Sequence, residues 1–88
     1  MPIAIPAEAR SLIERLSEIT RDWNAHDPVP KRQKDEVREI GNKINSLGGG
    51  DPDAGFELMQ AAYYAVKAKN RHAATVQAYW DGIGNWRW

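Results

Sequence analysis

The chain has 88 residues, no cysteine, and twelve basic against twelve acidic side chains, which gives a formal charge of zero at pH 7. Its apolar content of 42% and charged content of 27% are typical of a chain that folds around one core, and they exclude intrinsic disorder. The zero net charge argues against a broad electrostatic surface for DNA or anionic lipid, and the lack of cysteine excludes disulfides and thiolate metal sites.

The N-terminal segment, residues 1–6, has neither the basic start nor the long apolar run of a secretory signal. No apolar run in the sequence approaches the roughly 20 residues that are needed to cross a bilayer. The sequence therefore predicts neither export nor membrane insertion. We expect a soluble protein of the cytoplasm, where a chain without cysteine is suited to the reducing conditions.

The first predicted helix covers about residues 6–24. Apolar side chains recur at helical spacing from Leu12 to Trp23, and charged side chains occupy the opposite side. Pro6 suits the first helical turn, where a missing N–H costs no hydrogen bond. The pattern predicts an amphipathic helix that packs on one side.

The second predicted helix covers about residues 30–47 and follows a break that contains two prolines. Its apolar stripe runs from Val37 to Leu47 and is narrower than that of the first helix. Gly41 lies at the edge of the stripe, where glycine costs about 1 kcal/mol relative to alanine unless a neighbour approaches closely. We therefore expect a tight helix crossing at Gly41.

The third predicted helix covers residues 52–69 and follows the triple glycine at 48–50. Asp51 is a good N-cap and Pro52 suits the first helical position, so this start is the best defined in the chain. Residues 56–66 are apolar nearly all round, which in a soluble protein indicates a helix buried on several sides. We expect this helix at the centre of the bundle or in a subunit contact.

A short fourth helix is predicted at about residues 72–80, and the Asp-Gly pair at 81–82 ends it. The remaining tail, 81–88, is too short and too rich in glycine for another helix. It contains Trp86 and Trp88, and large aromatic side chains are seldom left in solvent. We expect the tail to fold back onto the core.

These elements predict an all-α protein in one domain, residues 1–88. The architecture is a compact bundle of three main helices plus a short C-terminal fourth helix, antiparallel where consecutive helices are joined by short loops. The side chains expected at its centre are Phe56, Met59, Tyr63 and Val66.

The sequence contains no convincing site for chemistry. The glycine run at 48–50 could bind an anion, but it lacks the P-loop and dinucleotide patterns and is followed by two aspartates. His26 and His72 are far apart in sequence and belong to no zinc-binding pattern, and no serine lies in a GxSxG motif. We therefore predict no catalytic, cofactor-binding or metal-binding residues, and no enzyme activity.

Aromatic side chains crowd the C-terminal third of the chain, and such side chains dominate both cores and binding hot spots. Trp23 and Trp80 are expected to anchor the core. A chain of this length buries only roughly 60–65% of its unfolded surface, so one copy would not cover all of its aromatic side chains. The leading interpretation is a protein-interaction module that forms a homodimer or binds an unidentified protein partner. The candidate interaction residues are Tyr63, Tyr64, Trp86 and Trp88.

A basic cluster at the start of the second helix supports an alternative function, a nucleic-acid-associated accessory or regulatory protein. Acidic side chains within the cluster dilute it, and the whole pattern also fits a solvated helix start. In this alternative, basic side chains would make salt-sensitive phosphate contacts without reading bases. The candidate contacts are Arg32, Lys34, Arg38 and Lys43.

The segment 80–86 has the sequence Trp-Asp-Gly-Ile-Gly-Asn-Trp, and it is preceded by Arg-Glu-Ile-Gly at 38–41, Gly49 and Phe-Glu-Leu-Met at 56–59. In these features the chain resembles small uncharacterised bacterial helical proteins that end in a Trp-Asp-Gly-Ile-Gly-x-Trp signature. The resemblance covers at most residues 37–86. It implies a bacterial or phage-like setting and no particular mechanism.

Overall fold

The structure is a computed structural model that describes residues 5–24, 26 and 28–87. Within these ranges the chain is helical without any strand, and the predicted bundle of three main helices plus a short fourth is confirmed. The elements are α1 (Ala7–Thr20), α2 (Lys31–Ser46), α3 (Pro52–Lys69) and α4 (Val76–Tyr79), with a 3-10 segment, Arg71–Thr75, directly before α4. None of the helices in these ranges is long and apolar enough to cross a membrane.

Helix α1 ends at Thr20, about four residues before the predicted end near residue 24. The Thr20 hydroxyl donates to the Leu16 carbonyl at 3.0 Å. The Thr20 carbonyl, which would accept from residue 24 in a longer helix, accepts instead from the side-chain amide of Asn70 and from the Trp23 N–H. A side chain that is distant in sequence thus helps to end the helix.

Gly41 in α2 lies against the indole ring of Trp80, which is fully buried. A Cβ atom at position 41 would lie 2.6 Å from the indole nitrogen. The indole N–H donates to the Val37 carbonyl at 2.8 Å, which fixes the ring across this part of α2. A close approach at Gly41 was predicted, and the approaching group is a side chain from the end of α4 rather than the backbone of another helix.

Helix α3 is the central element and packs against α1, α2 and the 3-10 segment. Its start is as predicted, because an Asp51 carboxylate oxygen accepts from the Asp53 N–H at 2.9 Å and Pro52 takes the first helical position. The apolar side chains that it buries are Leu58, Met59, Ala62, Tyr63 and Val66.

One side of α3 is open to solvent. Glu57, Gln60, Tyr64 and Lys67 recur at spacings of three and four residues, and all four are exposed. Tyr64 is 56% exposed. The helix is buried on several sides, as its apolar run predicts, but its neighbours leave this stripe uncovered.

The centre of the bundle contains three of the four predicted side chains. Met59, Tyr63 and Val66 are at most 3% exposed. Phe56 is only partly buried and lies at the edge of the core, with its ring centre 5.5 Å from that of Trp86. Its position next to the open side of α3 explains the difference.

The predicted fourth helix is less regular than expected. Residues 71–75 form a 3-10 segment, and only Val76–Tyr79 is α-helical. Asn70 has an extended backbone after α3, and its side chain accepts from the His72 N–H at 3.0 Å. Asn70 is thus the N-cap of the 3-10 segment, and short 3-10 segments are frequent at the ends of α-helices.

The tail folds back onto the bundle. Gly82 has a φ of +90°, and its N–H donates to the Trp86 carbonyl at 3.0 Å. The rings of Trp80 and Trp86 meet edge to face with their centres 5.3 Å apart. Ile83 and Trp86 are consequently buried. Trp88 lies outside the described residues.

Candidate interaction surfaces

The predicted interaction residues do not share one surface. Tyr63 is 3% exposed, and its hydroxyl accepts from the Gln77 side chain at 2.5 Å. Trp86 is 6% exposed, and its indole N–H donates to the Gln77 carbonyl at 2.9 Å. Both rings pack within their own chain because the returning tail closes over them. Tyr64 is open to solvent, and Trp88 is outside the described residues.

The open side of α3 is a continuous surface, which we call the α3 face. Its members are Asp53, Glu57, Gln60, Tyr64 and Lys67. Its N-terminal part is acidic and its C-terminal end is basic, with Tyr64 between them. An Asp53 carboxylate oxygen accepts from the Asn85 side chain at 2.9 Å. Glu57 and Lys67 form no ion pair with any described residue.

The charges on α2 differ from those on the α3 face because most have partners within the same copy. The pairs are Lys31 with Asp35 at 2.8 Å, Lys43 with Glu39 at 3.3 Å, and Arg15 of α1 with Glu36 at 2.5 Å. The hydrogen bond from Arg15 lowers the pKa of Glu36 below its usual value. These pairs join successive turns of α2 and connect it to α1.

The four predicted phosphate contacts do not form one stripe. With 100° per residue, Lys34 and Arg38 lie about 120–180° around α2 from Arg32 and Lys43. The Arg38 guanidinium donates to the carbonyls of Tyr79 and Asp81 at 2.7 and 2.9 Å, so it closes the C-terminal end of α4. Lys43 is paired with Glu39. Helical spacing therefore places the four basic side chains on two sides of α2. Two of them, Arg38 and Lys43, already have partners within the chain.

A groove lies between the end of α1, the segment before α2, and the 3-10 segment with α4. Its volume is about 430 Å³, and we call it the Trp23 groove. The rings of Trp23 and Tyr79 meet at 79° with their centres 5.9 Å apart, and Val29 adds apolar lining. The Trp23 indole N–H donates to the side-chain oxygen of Gln33 at 2.9 Å. What Trp23 can offer a ligand is therefore apolar ring surface.

Basic side chains lie in and near the Trp23 groove. Arg71 and His72 line it, and the Lys34 ammonium lies 5.6 Å from the centre of the Tyr79 ring. No aspartate or glutamate is among its described lining residues. Burial raises the pKa of the Tyr79 hydroxyl above its usual value. The groove combines aromatic surface with basic side chains.

Sequence reasoning did not find the Trp23 groove. Trp23 was predicted to anchor the core but is only partly buried, and its partner Tyr79 lies near the other end of the chain. Helical periodicity does not reveal a contact between such distant positions. The available signal was the charge of residues 58–88, which carry four basic side chains and one acidic side chain.

In the part of the chain that the structure describes, no three His, Cys, Asp or Glu side chains are placed to hold a metal ion. No protein-family model, curated protein or solved structure matches the chain. The resemblance to small bacterial proteins with the same closing signature stays a prediction. Function is therefore inferred from the two surfaces.

Proposed function

We propose that the protein is a small helical interaction module that forms a homodimer through the α3 face. The supporting observation is the order of side chains along this face. Glu57 and Lys67 each lie five residues from position 62, and Gln60 and Tyr64 each lie two residues from it. When two copies of α3 pack antiparallel about that level, Glu57 of each copy faces Lys67 of the other. Tyr64 of each copy then faces Gln60.

Within one copy these charges cannot meet. Glu57 and Lys67 are separated by ten residues, which is roughly 15 Å along a helix axis. A two-fold axis forms both ion pairs at once, because the same surface is used by each copy. The helix dipole also favours acid near the start and base near the end. The dipole explains the order of the charges along the axis, but it does not explain why Glu57, Lys67 and the exposed Tyr64 lie on one stripe.

The dimer is expected to be weak. One helix face is smaller than the roughly 800 Å² per partner of a standard interface, and Tyr64 is its only large aromatic side chain. Exposed ion pairs add specificity more than affinity. We expect a dissociation constant on the order of 100 μM.

A protein partner fits these surfaces better than nucleic acid does. Tracking a phosphate backbone needs a row of cations, and the four candidates on α2 are divided between two sides. We also assign the protein to the cytoplasm, since an 88-residue chain without cysteine is stabilised by packing alone and needs no oxidising compartment. We propose no catalytic step for it.

Charge reversal tests the homodimer. Glu57→Lys or Lys67→Glu places like charges opposite each other, and we expect each to raise the dissociation constant roughly tenfold. The double variant, Glu57→Lys with Lys67→Glu, restores opposite charges and should return to within about threefold of the unchanged protein. Sedimentation equilibrium over 10 μM to 2 mM measures all four proteins.

The matched control is Glu14→Lys, which reverses an exposed charge on α1 and should leave association unchanged. Sedimentation that shows only monomer at every concentration would contradict the proposal. So would a double variant that associates no better than the two single variants.

A further inference from the structure

We propose that the Trp23 groove binds a short acidic peptide segment of a partner protein, with one apolar side chain seated against the paired rings of Trp23 and Tyr79. This site is separate from the α3 face and does not depend on dimer formation. The occupant is defined by two properties of the groove, its aromatic lining and the sign of the charges around it.

The lining suits one apolar side chain. The groove of about 430 Å³ is formed by three segments of the chain, and Trp23, Val29 and Tyr79 provide ring and methyl surface. Since the Trp23 indole N–H already donates to the Gln33 side chain, the tryptophan contributes apolar contact and no hydrogen bond to a ligand. Partly buried aromatic side chains of this kind are frequent anchors in peptide recognition.

The charges select acidic neighbours in the peptide. Arg71 lines the groove, and the Lys34 ammonium lies 5.6 Å from the centre of the Tyr79 ring. Neither cation has a carboxylate within 4.0 Å among the described residues, whereas Lys31, Lys43 and Arg15 are each paired. Carboxylates on either side of a seated apolar residue would pair with these two cations.

A peptide is favoured over single-stranded nucleic acid. Proteins that bind single strands combine stacking rings with a charged path several nucleotides long. Here the two cations, Arg71 and Lys34, lie close to one groove and form no long path. Trp23 and Tyr79 also meet edge to face instead of presenting parallel platforms. The zero formal charge of the chain adds no general attraction for phosphate.

The experiment uses the full chain labelled with nitrogen-15 and the probe peptide acetyl-Asp-Glu-Leu-Phe-Asp-Glu-amide. We expect saturable shifts at the Trp23 indole N–H and at Arg71, with a dissociation constant on the order of 0.5 mM. A peptide with Asn and Gln in place of Asp and Glu should bind at least tenfold more weakly. Raising NaCl to about 0.5 M should weaken binding of the acidic peptide, since the Debye length falls well below 10 Å.

Variants identify the site. Arg71→Glu and Lys34→Glu, both at exposed positions, should each raise the dissociation constant of the acidic peptide about tenfold. Lys43→Glu reverses a charge on the other side of α2 and is the matched control, with no expected change. The Glu57→Lys variant should bind the peptide as the unchanged protein does, which separates this site from the dimer contact.

Three outcomes would overturn the inference. In the first, 5 mM peptide shifts no resonance of a residue that lines the groove. In the second, Lys43→Glu and Arg71→Glu weaken peptide binding equally. In the third, an eight-residue oligothymidylate shifts the groove resonances and binds more tightly than the acidic peptide. The last outcome would assign the groove to single-stranded nucleic acid.

Discussion

Trp80 occupies the space that a side chain at position 41 would need. Its indole ring lies within 2.9 Å of a Cβ built on Gly41, and its N–H is held by the Val37 carbonyl. The ring is fully buried and also packs edge to face on Trp86. Glycine at this position therefore connects α2, the end of α4 and the tail, and its cost in helix propensity is offset by the packing of a large aromatic side chain.

Gly41→Ala is expected to destabilise the protein by about 1–3 kcal/mol, although alanine is the better helix former by about 1 kcal/mol. The added methyl group would overlap the ring of Trp80, which is buried and hydrogen-bonded to the Val37 carbonyl. Chemical denaturation of the variant measures the change in the free energy of unfolding.

The matched control is Asn42→Ala, at the neighbouring exposed position, which also gains helix propensity, by somewhat less, and without a clash. It should be neutral or slightly stabilising. Equal stability of the two variants would show that the ring yields at little cost, contrary to the packing described for Gly41.

Among the elements, α1 and the 3-10 segment are joined by one side chain. The Asn70 amide donates to the Thr20 carbonyl at the end of α1, and its oxygen accepts from the His72 N–H. One residue thereby caps the end of one helix and the start of the next segment. This link also fixes the position of Trp23, which follows the end of α1 and forms part of the groove.

Asn70→Ala is expected to lower the free energy of unfolding by about 1–2 kcal/mol, because the His72 N–H loses its acceptor and the Thr20 carbonyl keeps only the bond from the Trp23 backbone N–H. Asn70→Ser keeps an N-cap acceptor for the His72 N–H, but its side chain is too short to reach the Thr20 carbonyl, so its loss should be smaller. Chemical denaturation compares the two variants. An alanine variant within about 0.5 kcal/mol of the unchanged protein would contradict this role.

The extent to which sequence predicted these elements follows from the range of the forces involved. The start of α3 depends on Asp51 and Pro52, which act on their immediate neighbours, and the predicted start agrees with the structure. The end of α1 depends on Asn70, which is 50 residues from Thr20, and the predicted end lies about four residues beyond the observed one. Local chemistry is readable from sequence, whereas a cap supplied by another element is not.

The candidate surfaces show the same division. The apolar composition of α3 predicted burial but not which stripe remains open, because that depends on where its neighbours lie. The division of the α2 cations could have been derived from their spacing alone, since Arg32 and Lys34 are about 160° apart on a helix. The Trp23 groove could not have been derived, because it is formed by segments from opposite ends of the chain.

At the scale of the whole molecule, α3 is covered by its neighbours on every side but one. The covered sides contain the core, and the open side carries separated acidic and basic ends around Tyr64. A second copy in antiparallel orientation would match this order of charges. The account of function depends on that orientation, which is open to direct measurement.

Because the chain has no cysteine, one introduced thiol gives a unique attachment point for a nitroxide spin label. Ala68→Cys places the label at an exposed position near the C-terminal end of α3, and Ser11→Cys places it on α1 as a control. Labelled protein is mixed with an unlabelled nitrogen-15 copy at about 0.3 mM, and paramagnetic broadening is measured in the unlabelled copy. The antiparallel dimer predicts broadening around residues 54–58 from the label at position 68 and little from the label at position 11. Broadening centred on residue 68 itself, or none from either label, would contradict it.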